Sequence, residues 1–298
     1  MRILYTSDIH ANPEHLYAML NVAAREAVQA VIVGGDIVPH HLPEADTLGV
    51  LPAQALYLKN VLIPAIEEFK KHHQAAVYLD LANDDFICNR NILKNHNFEL
   101  VNLLHLQQHR FTEHVDIIGY MMVPPTPFYR KDWEKPDSPE MPYAPGNTVA
   151  LDGFISINGQ LVETFIDLAA DDTIENDLAR LSESIDRPFI FVAHSPPYQT
   201  PLDVLDSGLH VGSISIKRFI EDWSRKGLLI AALHGHIHGA PYRSGSIQTI
   251  IENTVCINPG QNEGRGSNLR YVILELKDRQ TPPQVRIIYE PAYVGSGE

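Results

Sequence analysis

The chain has 298 residues, 44% apolar and 20% charged, which is enough to bury a large core and too apolar for general disorder. Its 23 basic and 37 acidic residues leave a formal net charge of −14. With no Lys/Arg cluster, this argues against stable binding to duplex nucleic acid or to an anionic membrane surface, whereas a small phosphate ester is compatible, because bound cations reverse the local field of an acidic protein.

Two distant cysteines, Cys88 and Cys256, make no disulfide framework. The opening from Met1 to Asp8 lacks the apolar stretch and cleavage site of a signal peptide. No apolar run reaches the roughly 18 residues that span a bilayer. The expectation is a reducing, cytoplasmic setting without membrane attachment.

Ile3-Leu4-Tyr5 is the first apolar run. Asn12-Pro13 then supplies an N-cap and a first helical position, and Leu16, Met19, Leu20, Ala23 and Ala27 recur at helical spacing. Val31-Ile32-Val33 is the second run. A helix is expected over residues 53–71, kinked or broken at Pro64. Val77-Tyr78-Leu79 follows. This β-α-β-α-β order predicts a parallel sheet with helices packed on it. Further on, residues 98–105, 115–123 and 153–158 read as strands and 172–185 as a helix. Residues 189–192 read as a buried strand. Ser213 reads as the cap of a helix carrying Ile216, Phe219, Ile220 and Trp223. Residues 228–233 form another buried strand, and strands near 247–251, 254–258, 270–276 and 284–289 close the chain, with short connections that favour antiparallel pairing.

The segment 124–147 stands apart. It holds Pro124, Pro125, Pro127, Pro136, Pro139, Pro142 and Pro145, a third of the 21 prolines, together with Phe128, Tyr129, Trp133 and Tyr143. Proline this dense excludes regular structure. The segment is an ordered loop, either a plain surface insertion or a wall over a substrate pocket. Nothing marks a linker, so residues 1–298 are expected to form one domain with this insertion.

Five apolar runs lead into potential metal ligands: Asp8-Ile9-His10, Gly34-Gly35-Asp36, Asn83-Asp84-Asp85, His194-Ser195 and His234-Gly235-His236-Ile237-His238. Taken singly, most of these are ordinary loop caps, turns or core histidines. Together they place Asp, Asn and His side chains at the ends of successive strands, where ligands collect in open α/β sheets.

The succession Asp-x-His, Gly-Gly-Asp, Asn-Asp-Asp, His-Ser and Gly-His-x-His resembles the calcineurin-like metallophosphoesterases, in the family's order from Asp8 to His238. The resemblance implies an α/β fold, a four-layered αββα sandwich on two mixed β-sheets. It implies one divalent metal held by Asp8, His10, Asp36 and His238, and a second held by Asp36, Asn83, His194 and His236. Asp36 would bridge them. A donor set of oxygens and imidazoles without thiols suits Mn, Fe, Zn, Ni or Co. Two such ions clamp a phosphoryl group and lower the pKa of water to about 7, so a bridging hydroxide would be the nucleophile and no phosphoenzyme would form. Chains of this length and motif order resemble bacterial-type phosphodiesterases, which makes a small-molecule diester the expected substrate. The sequence carries no reading of oligomeric state.

One motif departs from the pattern. The family's third motif reads Gly-Asn-His-Asp or Gly-Asn-His-Glu, and this chain has Ala82-Asn83-Asp84-Asp85. Asp84 therefore stands where the resemblance puts the histidine that stabilises the transition state and protonates the leaving group. Asp85 stands where an acid orients that histidine. Three expectations follow: Asp84 is itself the general acid, kept neutral by nearby negative charge; or His210, in the loop Gly208–Ser213, replaces the histidine, with His105 and His114 as further candidates of more structural character; or catalysis is weak or lost and the chain is a metal-binding scaffold.

Overall fold

The computed structural model describes residues 1–40, 47–262 and 267–291. The first third follows the expected alternation. Strand β1 (Arg2–Thr6) leads to helix α1 (Pro13–Arg25), and strand β2 (Ala30–Val33) leads to α2 (Thr47–Tyr57). A π-helical turn (Leu58–Leu62) continues into α3 (Ile63–His72), and β3 (Ala76–Leu79) follows. Asn12 caps α1 as expected, its side chain accepting from the backbone N–H groups of Glu14 and His15. Ala27 lies beyond the helix, with φ of 47°.

Pro64 does not end the helix, although regular α-helix is interrupted by a π-helical turn just before it. It sits in the first turn of α3, directly after the π-helical turn, which absorbs the missing N–H. Helix therefore runs on through Gly49–His72, and the expectation that no segment reaches bilayer length is corrected. These 24 residues are long and apolar enough to cross a membrane by length and composition, although half of the most apolar window is buried in the protein. Leu58, Leu62, Ile66 and Phe69 lie in the core.

The remaining elements are α4 (Arg90–Lys94), β4 (Asn102–Leu103), β5 (Gln107–Arg110), β6 (Asp116–Tyr120), β7 (Asp152–Ile157), β8 (Gln160–Phe165) and α5 (Ile174–Ser182). Then come β9 (Phe189–Ala193), α6 (Ile214–Arg225), β10 (Leu229–Leu233), α7 (Ala240–Ser244), β11 (Gln248–Ile251), β12 (Thr254–Ile257), β13 (Val272–Lys277) and β14 (Gln284–Tyr289). The expected strand over 98–105 shrinks to two residues, and β5 and β8 are additional. Ser213 caps α6 through its side chain, as its sequence position implies.

Two six-stranded mixed sheets result, in the orders β14-β13-β1-β2-β3-β4 and β11-β12-β10-β9-β6-β5. Each holds four adjacent parallel strands: β1-β2-β3-β4 run to one edge of the first sheet with antiparallel β13 and β14 on the other side, and β12-β10-β9-β6 form the centre of the second between antiparallel β11 and β5. A hairpin of β7 and β8 stands beside them. Alternation along β9 shows how the layers are bound. Ile190 and Val192 join the core shared with the first sheet, while Phe189, Phe191 and Ala193 face α5 and α6 with Ile174, Leu178, Ile216 and Phe219. Helices α1 and α3 join the first core through Leu16, Met19, Ile66 and Phe69. Two large mixed sheets with helices outside them are the expected α/β architecture.

Candidate metal centre

The parallel strands of both sheets release their carboxyl ends toward one volume. β1 delivers Asp8 and His10, β2 delivers Asp36, β3 leads to Asn83, β9 delivers His194, and β10 leads to His236 and His238. Four of these seven sit in left-handed backbone that side chains rarely adopt: Asp8 at φ 58°, His10 at 47°, Asp36 at 50° and His236 at 65°. Strain of this kind collects where a site over-determines the backbone. The two glycines of the strand ends are close approaches. A Cβ on Gly35 would lie 2.5 Å from the Ala82 Cβ and 2.7 Å from Nδ1 of His194, and one on Gly235 would lie 2.5 Å from Oδ2 of Asp8.

The ligand-type atoms converge in three overlapping groups, one of which, His10, His40 and Asp84, lies outside the expected ligand set except for His10. Asp8, His10, Asp36 and His238 bring their donor atoms within 4.8 Å of one another, and so do Asp36, His194 and His236. Asp36 belongs to both. Asn83 joins the second group, its Oδ1 lying 2.8 Å from Nε2 of His194, which is itself 3.2 Å from Oδ2 of Asp36. Nε2 of His10 and Nε2 of His238 face each other at 3.1 Å, with Oδ1 of Asp8 3.1 Å from the latter. Buried nitrogen and carboxylate donors aimed at a common point, with no thiol among them, fit a pair of divalent cations.

The carboxylates, His10 and His236 hold the charge states a metal site needs, whereas His194 must give up a proton to bind a cation. Burial pushes the Asp8 carboxyl up, but the charges and hydrogen bonding of His238 and His194 outweigh it and hold the group at about 2. Asp36 is likewise held below the usual carboxylate range, its burial overcome by His194 and His10 and by the Asp84 N–H. Burial works against the charged His194, yet Asp36 and Asp8 raise it to about 9. Burial and neighbouring histidine charges lower His10 and His236 to about 4, so both are neutral near pH 7, the form in which imidazole binds a metal.

Asp85 organises the site without facing it. Its buried carboxylate accepts from the backbone N–H groups of Ile37 (3.1 Å), Val38 (3.2 Å) and Ala82 (3.1 Å), so it fastens the loop after Asp36 to the loop that carries Asn83. The Asp84 N–H donates to Oδ1 of Asp36 at 2.9 Å.

A cavity of about 470 Å³ opens over the cluster, lined by Asp36, Asn83, Asp84, His236 and His238 on its floor. The 124–147 segment supplies a wall of Pro124, Pro125, Pro127 and Phe128, so of its two sequence readings the wall is the one observed. The side chain of Trp133 is wholly buried, and a buried Lys131–Glu134 pair at 2.7 Å anchors the same segment.

Asp84 lines the cavity but has a partner that sequence reasoning missed. Its Oδ1 accepts from Nη2 of Arg130 at 2.7 Å, a carboxylate–guanidinium pair rather than a group among negative charges alone. The only signal for Arg130 was a basic residue in an aromatic, Pro-rich loop. The structure does not bring His210 into this cavity. Nδ1 of His210 is bonded to Asp203 at 2.7 Å, and the ring lines a separate depression with Gln199 and Arg243. His105 is buried, packs on Tyr120 and Trp133, and its Nδ1 accepts from the Met121 N–H, as befits a structural residue. His114 is exposed in the turn before β6 rather than in a strand.

Residues 1–240 match the family model described as calcineurin-like phosphoesterase. Over 91 residues the chain is 37% identical to the uncharacterized protein MJ1162 of Methanocaldococcus jannaschii, a match spanning 30% of this chain and 38% of that protein. Among solved structures it is similar to TT1561 of Thermus thermophilus, with TM-score 0.54, 16% identity and coverage of 97% of this chain and 99% of that one. It is also similar to a dimetal phosphatase from Danio rerio, with TM-score 0.55, 9% identity and coverage of 98% and 99%. At these identities the structures bear on the fold alone.

Proposed function

This chain belongs to the calcineurin-like phosphoesterase family, and we propose that it is a two-metal phosphoester hydrolase acting on a small phosphodiester. The observation that carries this reading is the convergence of Asp8, His10, Asp36, Asn83, His194, His236 and His238 on one buried volume at the floor of a cavity. When bound, two divalent cations would supply a hydroxide near neutral pH and Lewis acidity toward the phosphoryl oxygens. Asp8, His10, Asp36 and His238 would hold one cation. Asp36, Asn83, His194 and His236 would hold the other.

The chain's own residues prepare the site in three ways. Asp85 fixes the spacing of the Asp36 and Asn83 loops through three backbone bonds. Burial keeps His10 and His236 neutral. Pro124, Pro125, Pro127 and Phe128 give the cavity one apolar side. The cavity of about 470 Å³ falls within the roughly 300–1,000 Å³ range of small-ligand sites. That size, together with a net charge of −14, favours a small molecule over a long nucleic acid. Two free cysteines are consistent with a reducing, cytoplasmic setting.

A second reading is a metal-binding scaffold without turnover, and the observation that favours it is Asp84 in the histidine's place. The initial rate of bis(p-nitrophenyl) phosphate hydrolysis, with and without Mn²⁺, separates the two. A Mn²⁺-dependent rate that disappears in Asp36→Asn supports the hydrolase. Background rates in protein carrying two metals support the scaffold.

A further inference from the structure

The histidine missing from the third motif leaves a charge problem at the cavity. Asp36, Asp84 and Asp206 line it, and a phosphoester is an anion. Among the described residues lining the cavity, Arg130 is the one lysine or arginine. It arrives from the Pro-rich segment, across from the strand ends, and its Nη2 meets Asp84 at 2.7 Å while its Nη1 donates to the His40 carbonyl oxygen at 3.1 Å. These two acceptors leave part of the guanidinium's five N–H donors unused, and the buried Nε has no hydrogen-bond partner. Both side-chain ends of the pair are largely shielded, 15% exposed for Arg130 and 12% for Asp84.

From this geometry we infer that the Asp84–Arg130 pair replaces the histidine: Arg130 is the cation that contacts the phosphoryl group and the departing oxygen, and Asp84 is the residue that positions it. The inference rests on the phosphoesterase reading. It gives the site a different chemistry from a histidine. A guanidinium stabilises negative charge through a planar fork of N–H groups but does not deliver a proton. Hydroxide oxygen adds to phosphorus as the ester P–O bond breaks, the electron pair leaves with the ester oxygen, and that oxygen takes its proton from solvent water. Substrates whose leaving groups need no protonation, such as aryl esters, are therefore turned over much faster than alkyl esters.

The test combines binding and turnover in the metal-loaded protein. Calorimetry measures the affinity for inorganic phosphate, and kinetics measures kcat and KM on bis(p-nitrophenyl) phosphate. Arg130→Ala is expected to weaken phosphate binding at least tenfold and to lower kcat/KM by about 100-fold, the size seen when a preorganised oxyanion donor is removed. Added guanidinium ion restores part of the rate. Asp84→Ala loses about tenfold alone and nothing further when added to Arg130→Ala, because a positioning residue has no effect once its partner is gone. If Arg130→Ala does not fold, Arg130→Lys, which keeps the charge and loses the fork, carries the same comparison. Wild-type phosphate affinity and kcat/KM in the arginine variant would overturn the inference alone. So would a rate loss with unchanged phosphate affinity and no rescue by guanidinium. A wild-type protein that carries two metals, yet neither binds phosphate nor cleaves the diester, would overturn the phosphoesterase reading and the inference with it.

Discussion

The hydroxyl of Tyr5 donates to the carbonyl oxygen of His234 at 2.7 Å, a buried bond that ties the central strand of one sheet to the end of a strand in the other. Asp8 lies three residues beyond Tyr5, and His236 lies two beyond His234, so the bond fixes how the two halves of the ligand set approach each other. Tyr5→Phe keeps the ring and removes the donor. Urea unfolding should show a loss of about 1–3 kcal/mol, the cost of an unsatisfied buried polar group. Mn²⁺ titration of the same variant should show weaker binding. Unchanged stability would mean that the bond contributes nothing.

Gly235 is expected to be intolerant of any side chain. A Cβ there meets the Ser7 side chain and Oδ2 of Asp8, so Gly235→Ala must displace a ligand. Metal analysis of the purified variant should find at least one ion fewer per chain, and circular dichroism should find the fold retained.

Asp85→Ala strips the acceptor from three buried N–H groups at once, those of Ile37, Val38 and Ala82. Burial and the Asp36 charge push the Asp85 carboxyl well above the usual carboxylate range, so the cost is that of buried N–H groups left unsatisfied, roughly 1–3 kcal/mol each, and losses within one network are not additive. A total loss of about 3 kcal/mol is expected, readable in chemical denaturation. Activity should fall with it, because the Asp36 and Asn83 loops lose their common anchor. A stable, fully active Asp85→Ala would contradict this role.

His105 predicts an acid limb in stability. Burial lowers it to about 4, against about 6.5 for an unperturbed imidazole. Its contribution is present above about pH 6.5, where folded and unfolded chains both hold it neutral, and it is lost as pH falls toward the folded value of about 4. Across that window the folding equilibrium should lose up to about tenfold per pH unit from this one group. Glu134 and Asp137 act in the opposite sense, since burial raises them to about 7 and about 6. The measurement is therefore a difference. In metal-stripped protein, the gain in stability per pH unit between 4 and 6.5 should be less positive for His105→Gln than for the wild type. Equal slopes would rule out a buried neutral His105.

Sequence made the ligand set legible because buried parallel strands are short apolar runs, and the first polar residue after each run marks a strand end. Asp36 and His194 follow that rule directly, and Asp8 follows two polar residues, Thr6 and Ser7, past its run. The N-caps Asn12 and Ser213 were legible for a similarly local reason, a side-chain oxygen reaching the first N–H groups of a helix. β8 was missed although its turn was visible: Asn158 at φ 51° and Gly159 at φ 78° form the doubly left-handed corner that Asn-Gly favours in hairpins. The helical continuity through Pro64 depends on a π-helical turn that no residue type announces. Arg130 was illegible because its partner Asp84 is 46 residues away and its loop has no period to read. His210 showed the converse. Its glycine-flanked loop looked available for catalysis, but Asp203 holds the ring over a separate depression.

The two-metal site is the claim on which the account depends, and a calorimetric Mn²⁺ titration of the wild-type chain at neutral pH, alongside Asp36→Ala, tests it most directly. Asp36 is the one residue common to the group of Asp8, His10 and His238 and the group of His194 and His236. The account predicts two ions per wild-type chain and at most one, weakly held, in the variant. Fewer than two ions in the wild type, or two equally tight ions in Asp36→Ala, would contradict it.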